Sequence, residues 1–193
     1  MPVSADTVAE GASFGIRVCR SADASVLAAT GARLFVQAYG PTHPEPTLSR
    51  YLAEKFDAER LRAELEHPAV RFLLVEDAAG EPIGYAHLRE TVGPPPAGVP
   101  GVKSAEIVRF YVDAAWHGRG IAQALMTACE AEARRRGADA LWLQAWQQAG
   151  RALAFYHRAG FRVVGTATFH FGERRDDDFL LARPLAPPEP PAP

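Results

Sequence analysis

The sequence predicts an α/β fold in which a mixed, mostly antiparallel sheet is flanked by helices on both faces. Two observations lead to this prediction. A strand-forming run over 105–112 passes through a glycine-rich turn into a long amphipathic helix, and a second strand, 140–146, leads into a helix over 151–159. Further strands are predicted over 161–168 and 178–183. Strands and helices that alternate in this way pack as helix layers on a sheet.

The N-terminal half is predicted to supply the remaining elements. A helix over 22–39 has apolar residues at helical spacing and stops at Gly40-Pro41. The turn from Asp77 to Gly80 joins two short apolar runs into a hairpin. The other predicted elements are strands over 16–20, 71–76 and 82–89, a segment over 48–56, a helix over 58–66 and a long helix over about 120–136.

Length and composition predict a single domain. The chain has 193 residues, of which 48% are hydrophobic, and this is enough to bury one core. We expect the domain to span 16–185, between a disordered N-terminal extension over 1–15 and a proline-rich tail over 186–193. The insertion 93–103 contains four prolines and is predicted to be a stiff exposed loop, more readily a spacer than a lid.

Charge and cysteine usage exclude several classes of protein. The formal net charge is −2 and the arginines form no basic block, so a nucleic acid is not expected as a partner. Cys19 and Cys129 are predicted to be buried thiols, and neither a disulfide nor a metal site is expected. The first residues do not show the basic segment followed by an apolar core that is typical of a signal peptide, and no apolar run approaches the length of a membrane span. We therefore expect a cytoplasmic protein with small-molecule partners, and a homodimer is compatible with the sequence.

The most informative segment is His117-Gly-Arg-Gly-Ile-Ala122, between a strand and a helix. Gly118 and Gly120 let the backbone approach a ligand closely, and the N–H groups of a helix N-terminus, aligned with its dipole, favour a pyrophosphate. A P-loop would need Lys-Ser or Lys-Thr after Gly120, and the dinucleotide fingerprint would need a third glycine. The motif alone therefore predicts either an anion site of another kind or an ordinary strand-to-helix turn.

A second motif distinguishes these alternatives. The predicted helix over 151–159 lies within Gly150-Arg-Ala-Leu-Ala-Phe-Tyr-His-Arg-Ala-Gly-Phe161. Together the two motifs resemble those of the GNAT superfamily of acetyl-CoA-dependent N-acetyltransferases, in which Gln/Arg-x-x-Gly-x-Gly/Ala precedes an alanine helix closing with Phe-Tyr-x-x-x-Gly-Phe. His117 departs from the family's Gln or Arg, and Ala149 stands where an asparagine is frequent. The resemblance covers about 16–185 and implies a GNAT-like fold.

The resemblance implies that acetyl-CoA is the acetyl donor. Tyr111 and Val112 are then expected to offer backbone groups to the pantetheine amides. Arg119 is the expected phosphate partner because a guanidinium keeps its charge, whereas His117 either contacts a phosphate or is simply solvated. The residues expected to bind the donor are Tyr111, Val112, His117, Gly118, Arg119, Gly120, Ile121, Ala122 and Phe155.

Acetyl transfer to an amine requires a proton acceptor for the ammonium group and a proton donor for the departing thiolate. Glu106 matches the position of the family's glutamate base and shares a strand face with Val112 by two-residue alternation. The alternative is a surface or core-edge glutamate held by a nearby arginine. Tyr156 matches the family's tyrosine near the cofactor sulfur, where a phenol with a pKa of ~10 can protonate a thiolate. Its alternative role is that of a packed aromatic residue.

The acceptor is expected to be a primary amine. The segments 141–147 and 165–172 resemble the spermidine/spermine acetyltransferase branch, which implies a polyamine. Asp176-Asp-Asp178, after Glu173, could attract such a cation, although a charge run in a loop more often just faces solvent. The alternatives are a peptide, protein or aminoglycoside acceptor, and a non-catalytic acyl-CoA sensor. The expected substrate-binding residues, which could equally be packing residues, are Tyr39, Trp146, His170 and Asp178.

Overall fold

A computed structural model describes residues 13–43, 45–172 and 174–185. Seven strands form one sheet in the order β1-β2-β3-β4-β5-β7-β6. The strands are β1 Phe14–Val18, β2 Val70–Asp77, β3 Pro82–Glu90, β4 Ser104–Val112, β5 Ala140–Trp146, β6 Arg162–Phe171 and β7 Arg174–Pro184. The helices are α1 Ala24–Tyr39, α2 Thr47–Lys55, α3 Ala58–Glu66, α4 Ile121–Arg135 and α5 Gly150–Arg158.

The predicted fold class is confirmed. β4 pairs with β5 in parallel, while β1 with β2, β5 with β7 and β6 with β7 are antiparallel. β1 begins at Phe14, so Phe14 and Gly15, which the sequence assigned to the N-terminal extension, belong to a strand. The predicted disorder of 1–12 and the predicted tail 186–193 lie outside the described residues.

The acidic run is where the predicted elements were wrong. It was expected in a loop before a strand over 178–183, but β7 begins at Arg174 and β6 continues to Phe171. Residues Arg174 to Asp178 pair with residues Ala167 to Phe171 in an antiparallel ladder. Backbone pairing to a neighbouring strand therefore outweighs the low strand propensity of consecutive charged residues.

The chain forms two compact units. One comprises the residues up to Ala86 together with Phe110–Leu125, and the other comprises His87–Arg109 together with the residues from Met126 onward. β3 and β4 each contribute residues to both units.

In the first unit, α1 contributes the buried Leu27, Leu34 and Phe35. Gly31 lies on the same helix where a Cβ would come within 2.5 Å of the Phe56 ring. The unit is closed at its edge by antiparallel pairing of β1 with β2, and buried Cys19 donates its backbone N–H to the β2 ladder.

In the second unit, the proline-rich insertion is fixed in place. Val99 is buried in an apolar cluster with Ala140, Trp142, Leu180 and Ala182. The Asp139 carboxylate accepts hydrogen bonds from the backbone N–H groups of residues 102 and 103, and a Cβ on residue 101 would lie 2.2 Å from its Oδ1. The insertion is therefore a loop that is exposed at most of its positions, as predicted, and buried Val99 anchors it.

Cys129 is also buried, and both cysteines have free thiols, as predicted. Burial raises the pKa of both thiols. Within the described ranges, no helix has the length and apolar character needed to cross a membrane.

Candidate active site

The glycine-rich turn has the backbone geometry that the sequence predicts. Gly118 and Gly120 have φ of 80° and 78°, a region that favours glycine. A Cβ built on either residue would meet no atom within 4 Å, so the turn faces open space. The 15-residue helix α4 begins at Ile121, directly after the turn. The turn therefore presents backbone at the N-terminus of a long helix, as an anion site requires.

The side chains of this turn contact the protein itself. His117 Nε2 lies 2.9 Å from the carbonyl oxygen of Val112, to which it donates a hydrogen bond. The Arg119 guanidinium lies over the Trp116 ring, 4.8 Å from its centroid. The sequence indicated neither contact, because both depend on how the turn folds back on the end of β4. The phosphate contacts predicted for His117 and Arg119 stay predictions.

Asp113 fixes the segment between β4 and the turn. Its carboxylate accepts hydrogen bonds from Arg33 and, at 3.3 Å, from Gln37 Nε2. It also accepts the backbone N–H of Ala115 at 3.0 Å, which caps a short 3₁₀ turn. Burial alone would raise the pKa of Asp113, but these donors outweigh it and the pKa is lowered. The segment that precedes the glycine-rich turn is thus held to α1 by an ion pair and a hydrogen bond.

An aromatic cluster surrounds two predicted site residues of the first unit. The Tyr39 ring centroid lies 6.5 Å from that of Tyr111, and both rings contact Phe35. Tyr111 also contacts Tyr85 at 5.7 Å. The structure thus brings Tyr39 and Tyr111 together, in a cluster that can serve either as packing or as an aromatic wall.

Glu106 is buried on β4 and forms an ion pair with Arg89. Both Nε and Nη2 of Arg89 donate to Glu106 Oε2, at 3.2 and 2.5 Å. The ion pair is the arginine contact that the sequence left open as the alternative to a base. A proton transferred to this carboxylate would have to compete with that guanidinium.

Tyr156 is buried on α5, where the alanine-rich motif predicts it. Its ring contacts those of Phe155 and Phe161, at centroid distances of 5.5 and 5.9 Å. Arg183 donates a hydrogen bond to the carbonyl of Ala159 at the end of this helix. The helix end that carries the tyrosine is therefore tied to β7.

The acidic run lies on two faces of β7. Asp176 and Asp178 are 7% and 6% exposed, whereas Asp177 is exposed on the opposite face. Trp146 pairs directly with Asp178 across the β5–β7 ladder. The expectation that this run simply faces solvent was wrong for the two buried carboxylates. Glu173 lies outside the described residues.

A cavity of about 290 Å³ lies at this end of β5 and β7. Two of its walls are Trp146 and Asp176, and the guanidinium of Arg174 lies 6.0 Å from the Trp146 ring centroid and 2.7 Å from Asp176 Oδ1. The lining residues are Trp146, Gln147, Gln148, Arg174, Arg175, Asp176 and Asp177.

The remaining predicted substrate residue, His170, is exposed on β6. It pairs with Arg175, and strand alternation therefore places it on the face opposite to Trp146 and Asp178. The structure does not bring it together with those two residues. Among the described residues, no group of three or more His, Cys, Asp or Glu side chains is arranged to hold a metal ion.

Comparisons with known proteins agree with this geometry. The family model described as the acetyltransferase (GNAT) family matches residues 33–161. An uncharacterized N-acetyltransferase of Mycobacterium tuberculosis is 31% identical over 163 residues, which cover 84% of this chain and 98% of that protein. Another, from Lactobacillus delbrueckii subsp. lactis, is 26% identical over 157 residues, 78% of this chain and 86% of that protein.

Solved structures share the fold. The PaiA N-acetyltransferase of Thermoplasma acidophilum, in complex with coenzyme A, superposes with a TM-score of 0.71 at 20% identity, covering 89% of this chain and 99% of that one. A GCN5-related N-acetyltransferase from Kribbella flavida gives a TM-score of 0.63 at 25% identity, covering 90% and 98%.

Proposed function

Because the chain belongs to the GNAT acetyltransferase family, we propose that it transfers acetyl from acetyl-CoA directly to the primary amine of a small molecule. Gly118 and Gly120 support the donor half of this proposal. Their positive φ angles and the open space above them suit a pyrophosphate at the N-terminus of α4. Acetyl-CoA would supply the thioester, and the coenzyme A bound by the Thermoplasma relative is in keeping with this donor.

The cavity formed by the end of β5 and the start of β7 is the observation that supports the acceptor half of this proposal. It is a cleft of about 290 Å³ that is open to solvent, and a small amine would fit in it. An aromatic wall, Trp146, and carboxylates at Asp176 and Asp177 are suited to a cationic group.

A polyamine is the finer form of this proposal. Asp176 and Asp177 in the lining support it, whereas Arg174 and Arg175 in the same lining would repel a second or third ammonium group. If a polycation is attracted by charge, its Michaelis constant should rise with salt, since the Debye length falls to about 8 Å at physiological ionic strength. The exposed Asp177 tests this: Asp177→Asn should raise the Michaelis constant for spermidine and leave kcat nearly unchanged.

Tyr156 is the proposed proton donor to the thiolate of coenzyme A. It lies on α5 in the Phe-Tyr pair of the second motif, and a phenol is protonated at neutral pH. Glu106 stays a predicted base, and its ion pair with Arg89 supports the alternative of a charge held for structure.

Thiol release from acetyl-CoA tests the proposed function. The full-length protein should release thiol only when an amine is present, with rates measured across spermidine, spermine, simple alkylamines, aminoglycosides and short peptides. Release with alkylamines or polyamines and none with the larger acceptors is the expected result. Release with peptides or aminoglycosides alone would leave the acetyltransferase activity and contradict the small-amine acceptor.

A further inference from the structure

Residues 113–117 connect β4 to the glycine-rich turn and are called the connecting segment below. Three of its five residues are exposed, and so are all three residues of the turn that follows, 118–120. The short 3₁₀ turn Ala114–Trp116 within the segment contains no buried residue. A segment with few buried apolar contacts opens readily unless hydrogen bonds hold it. The conformation of the glycine turn therefore depends on how the connecting segment is bonded to its neighbours.

Gln37 of α1 forms two hydrogen bonds with the connecting segment. Its Oε1 accepts the backbone N–H of Ala114 at 2.9 Å, and its Nε2 donates to Asp113 Oδ1 at 3.3 Å. Both bonds require the same orientation of the side-chain amide, because the reverse orientation would place its oxygen against the carboxylate. The amide of Gln37 is thus matched to one backbone group and one side chain of the segment.

Arg33 lies one helical turn before Gln37, on the same face of α1. Its Nη1 forms an ion pair with Asp113 Oδ2, and its Nη2 donates to the carbonyl oxygen of Pro82 at 2.8 Å. The backbone N–H of Asp113 also donates to the carbonyl oxygen of Ile83, at 2.8 Å. Arg33 therefore links the connecting segment both to α1 and to the start of β3.

Asp113 is in turn bonded to the backbone that leads to the glycine turn. Its Oδ1 accepts the N–H of Ala115 at 3.0 Å, and its carbonyl oxygen accepts the N–H of Trp116 at 2.9 Å. These bonds form the 3₁₀ turn that ends one residue before His117, which Gly118 follows. All of these residues, α1 included, belong to the first compact unit. Contacts made by α1 thus fix the backbone immediately before the turn.

We propose that Arg33 and Gln37 are positioning residues for acetyl-CoA, which act through Asp113 to hold the glycine turn in its binding conformation. This inference rests on the donor half of the proposed function and extends it to α1. When these contacts are lost, a smaller fraction of the molecules has a turn that can bind the pyrophosphate. The apparent dissociation constant rises in inverse proportion to that fraction. Bound acetyl-CoA holds the turn in place, so the chemical step is unchanged.

Asp113→Ala removes the group on which both α1 side chains converge. In the full-length protein we expect the dissociation constant of acetyl-CoA, measured by calorimetry, to rise about 10-fold. The Michaelis constant for acetyl-CoA should rise by a similar factor. In contrast, kcat at saturating acetyl-CoA and the Michaelis constant for the amine should stay close to those of the wild type. A variant that is merely less stable would not show this division.

Asp23→Ala is the matched control in the same unit. Asp23 is 16% exposed and Asp113 is 14% exposed, and each pairs with a partly exposed arginine. Asp23 also accepts a backbone N–H, that of Arg20 at 2.7 Å. The two alanine variants should therefore lose similar amounts of folding stability in thermal unfolding. Only Asp113→Ala should lose affinity for acetyl-CoA.

A double-mutant cycle tests whether Arg33 acts through Asp113. Arg33→Ala should weaken acetyl-CoA binding in the wild type and have little further effect in the Asp113→Ala background, where the ion pair is already lost. A further loss in that background would mean that Arg33 binds the donor itself, which contradicts a positioning role. Asp113→Asn keeps an oxygen for the N–H of Ala115, so it should bind acetyl-CoA more tightly than Asp113→Ala.

The outcomes separate this inference from the proposed function. If the wild type and Asp113→Ala bind acetyl-CoA equally, or if Asp23→Ala loses as much affinity as Asp113→Ala, α1 does not position the turn. A wild type that binds acetyl-CoA but acetylates no amine overturns the proposed function, and the calorimetric comparison of the two alanine variants still decides this inference. A wild type that binds no acetyl-CoA overturns both.

Discussion

The glycine turn and the acidic end of β7 are built from different parts of the polypeptide. At the turn, Gly118 and Gly120 expose backbone, and the nearby side chains of His117 and Arg119 contact the protein. At the acidic start of β7, the functional groups are side chains, with buried carboxylates beside Trp146. The turn suits a donor whose pyrophosphate never changes, whereas side chains can be exchanged to suit different acceptors.

The largest effect is expected from a substitution in the glycine turn, where the backbone would bind the donor. Gly120→Val forces a branched side chain into a positive φ and fills the space above the turn, so acetyl-CoA binding should fall below detection by calorimetry. Gly80→Val is the matched control, because Gly80 has a φ of 82° and equally open surroundings in the β2–β3 turn.

Both valine variants should lose a similar amount of folding stability, of order 1–2 kcal/mol, and only Gly120→Val should lose the ligand. Equal acetyl-CoA affinity in the two variants would contradict an anion site at the turn.

The next effect concerns a side chain on α5. Tyr156→Phe removes one hydroxyl and keeps the ring contacts with Phe155 and Phe161. We expect kcat to fall by roughly 10²-fold while the dissociation constant of acetyl-CoA stays close to that of the wild type, because only proton donation is lost. Steady-state kinetics and calorimetry on the same preparation check this. A kcat near that of the wild type would leave Tyr156 with packing alone.

A stability measurement tests the buried carboxyl group of Asp178 at the start of β7. The pKa of Asp178 in the folded protein, about 6, lies above its ordinary value of 3.8, so its protonated form is favoured by folding. The contribution of this carboxyl group to the free energy of unfolding is complete below about pH 4 and is lost as the pH rises through 6. Asn cannot ionise. At pH 8, the free energy of unfolding of Asp178→Asn should therefore exceed that of the wild type by about 1–3 kcal/mol, and its unfolding temperature should be higher. At pH 4 the two proteins should differ little in stability.

The smallest expected effect is at His117. Removing the imidazole in His117→Ala frees the carbonyl of Val112 from its 2.9 Å hydrogen bond. A neutral hydrogen bond contributes about 1 kcal/mol, so the Michaelis constant for acetyl-CoA should change by only a few-fold. A loss as large as that of Gly120→Val would mean that the side chain carries the donor site, contrary to the comparison drawn here.

The two regions also differ in how far the sequence predicts them. The turn and β5 were located correctly because strand formers, positive-φ glycines and helical spacing are local signals. The strand β7 was predicted from residue 178, but its acidic start was missed because consecutive charged residues look like a loop and only their pairing with β6 makes them part of the strand. The same holds for Glu106 and Arg89, which lie 17 residues apart on β4 and β3. Register between strands is a tertiary property, so the sequence alone did not reveal that ion pair.

Transfer of labelled acetyl is the most direct test of the central claim. Acetyl-CoA carrying a ¹³C label in its acetyl group is incubated with the full-length protein and an alkylamine, and the products are followed by mass spectrometry together with thiol release. If the protein transfers acetyl to an amine, the label should appear in the amine as an amide, one for each thiol released. Acetyl-CoA that binds at the turn but yields no labelled amide with any amine would contradict it and indicate a non-catalytic acyl-CoA sensor.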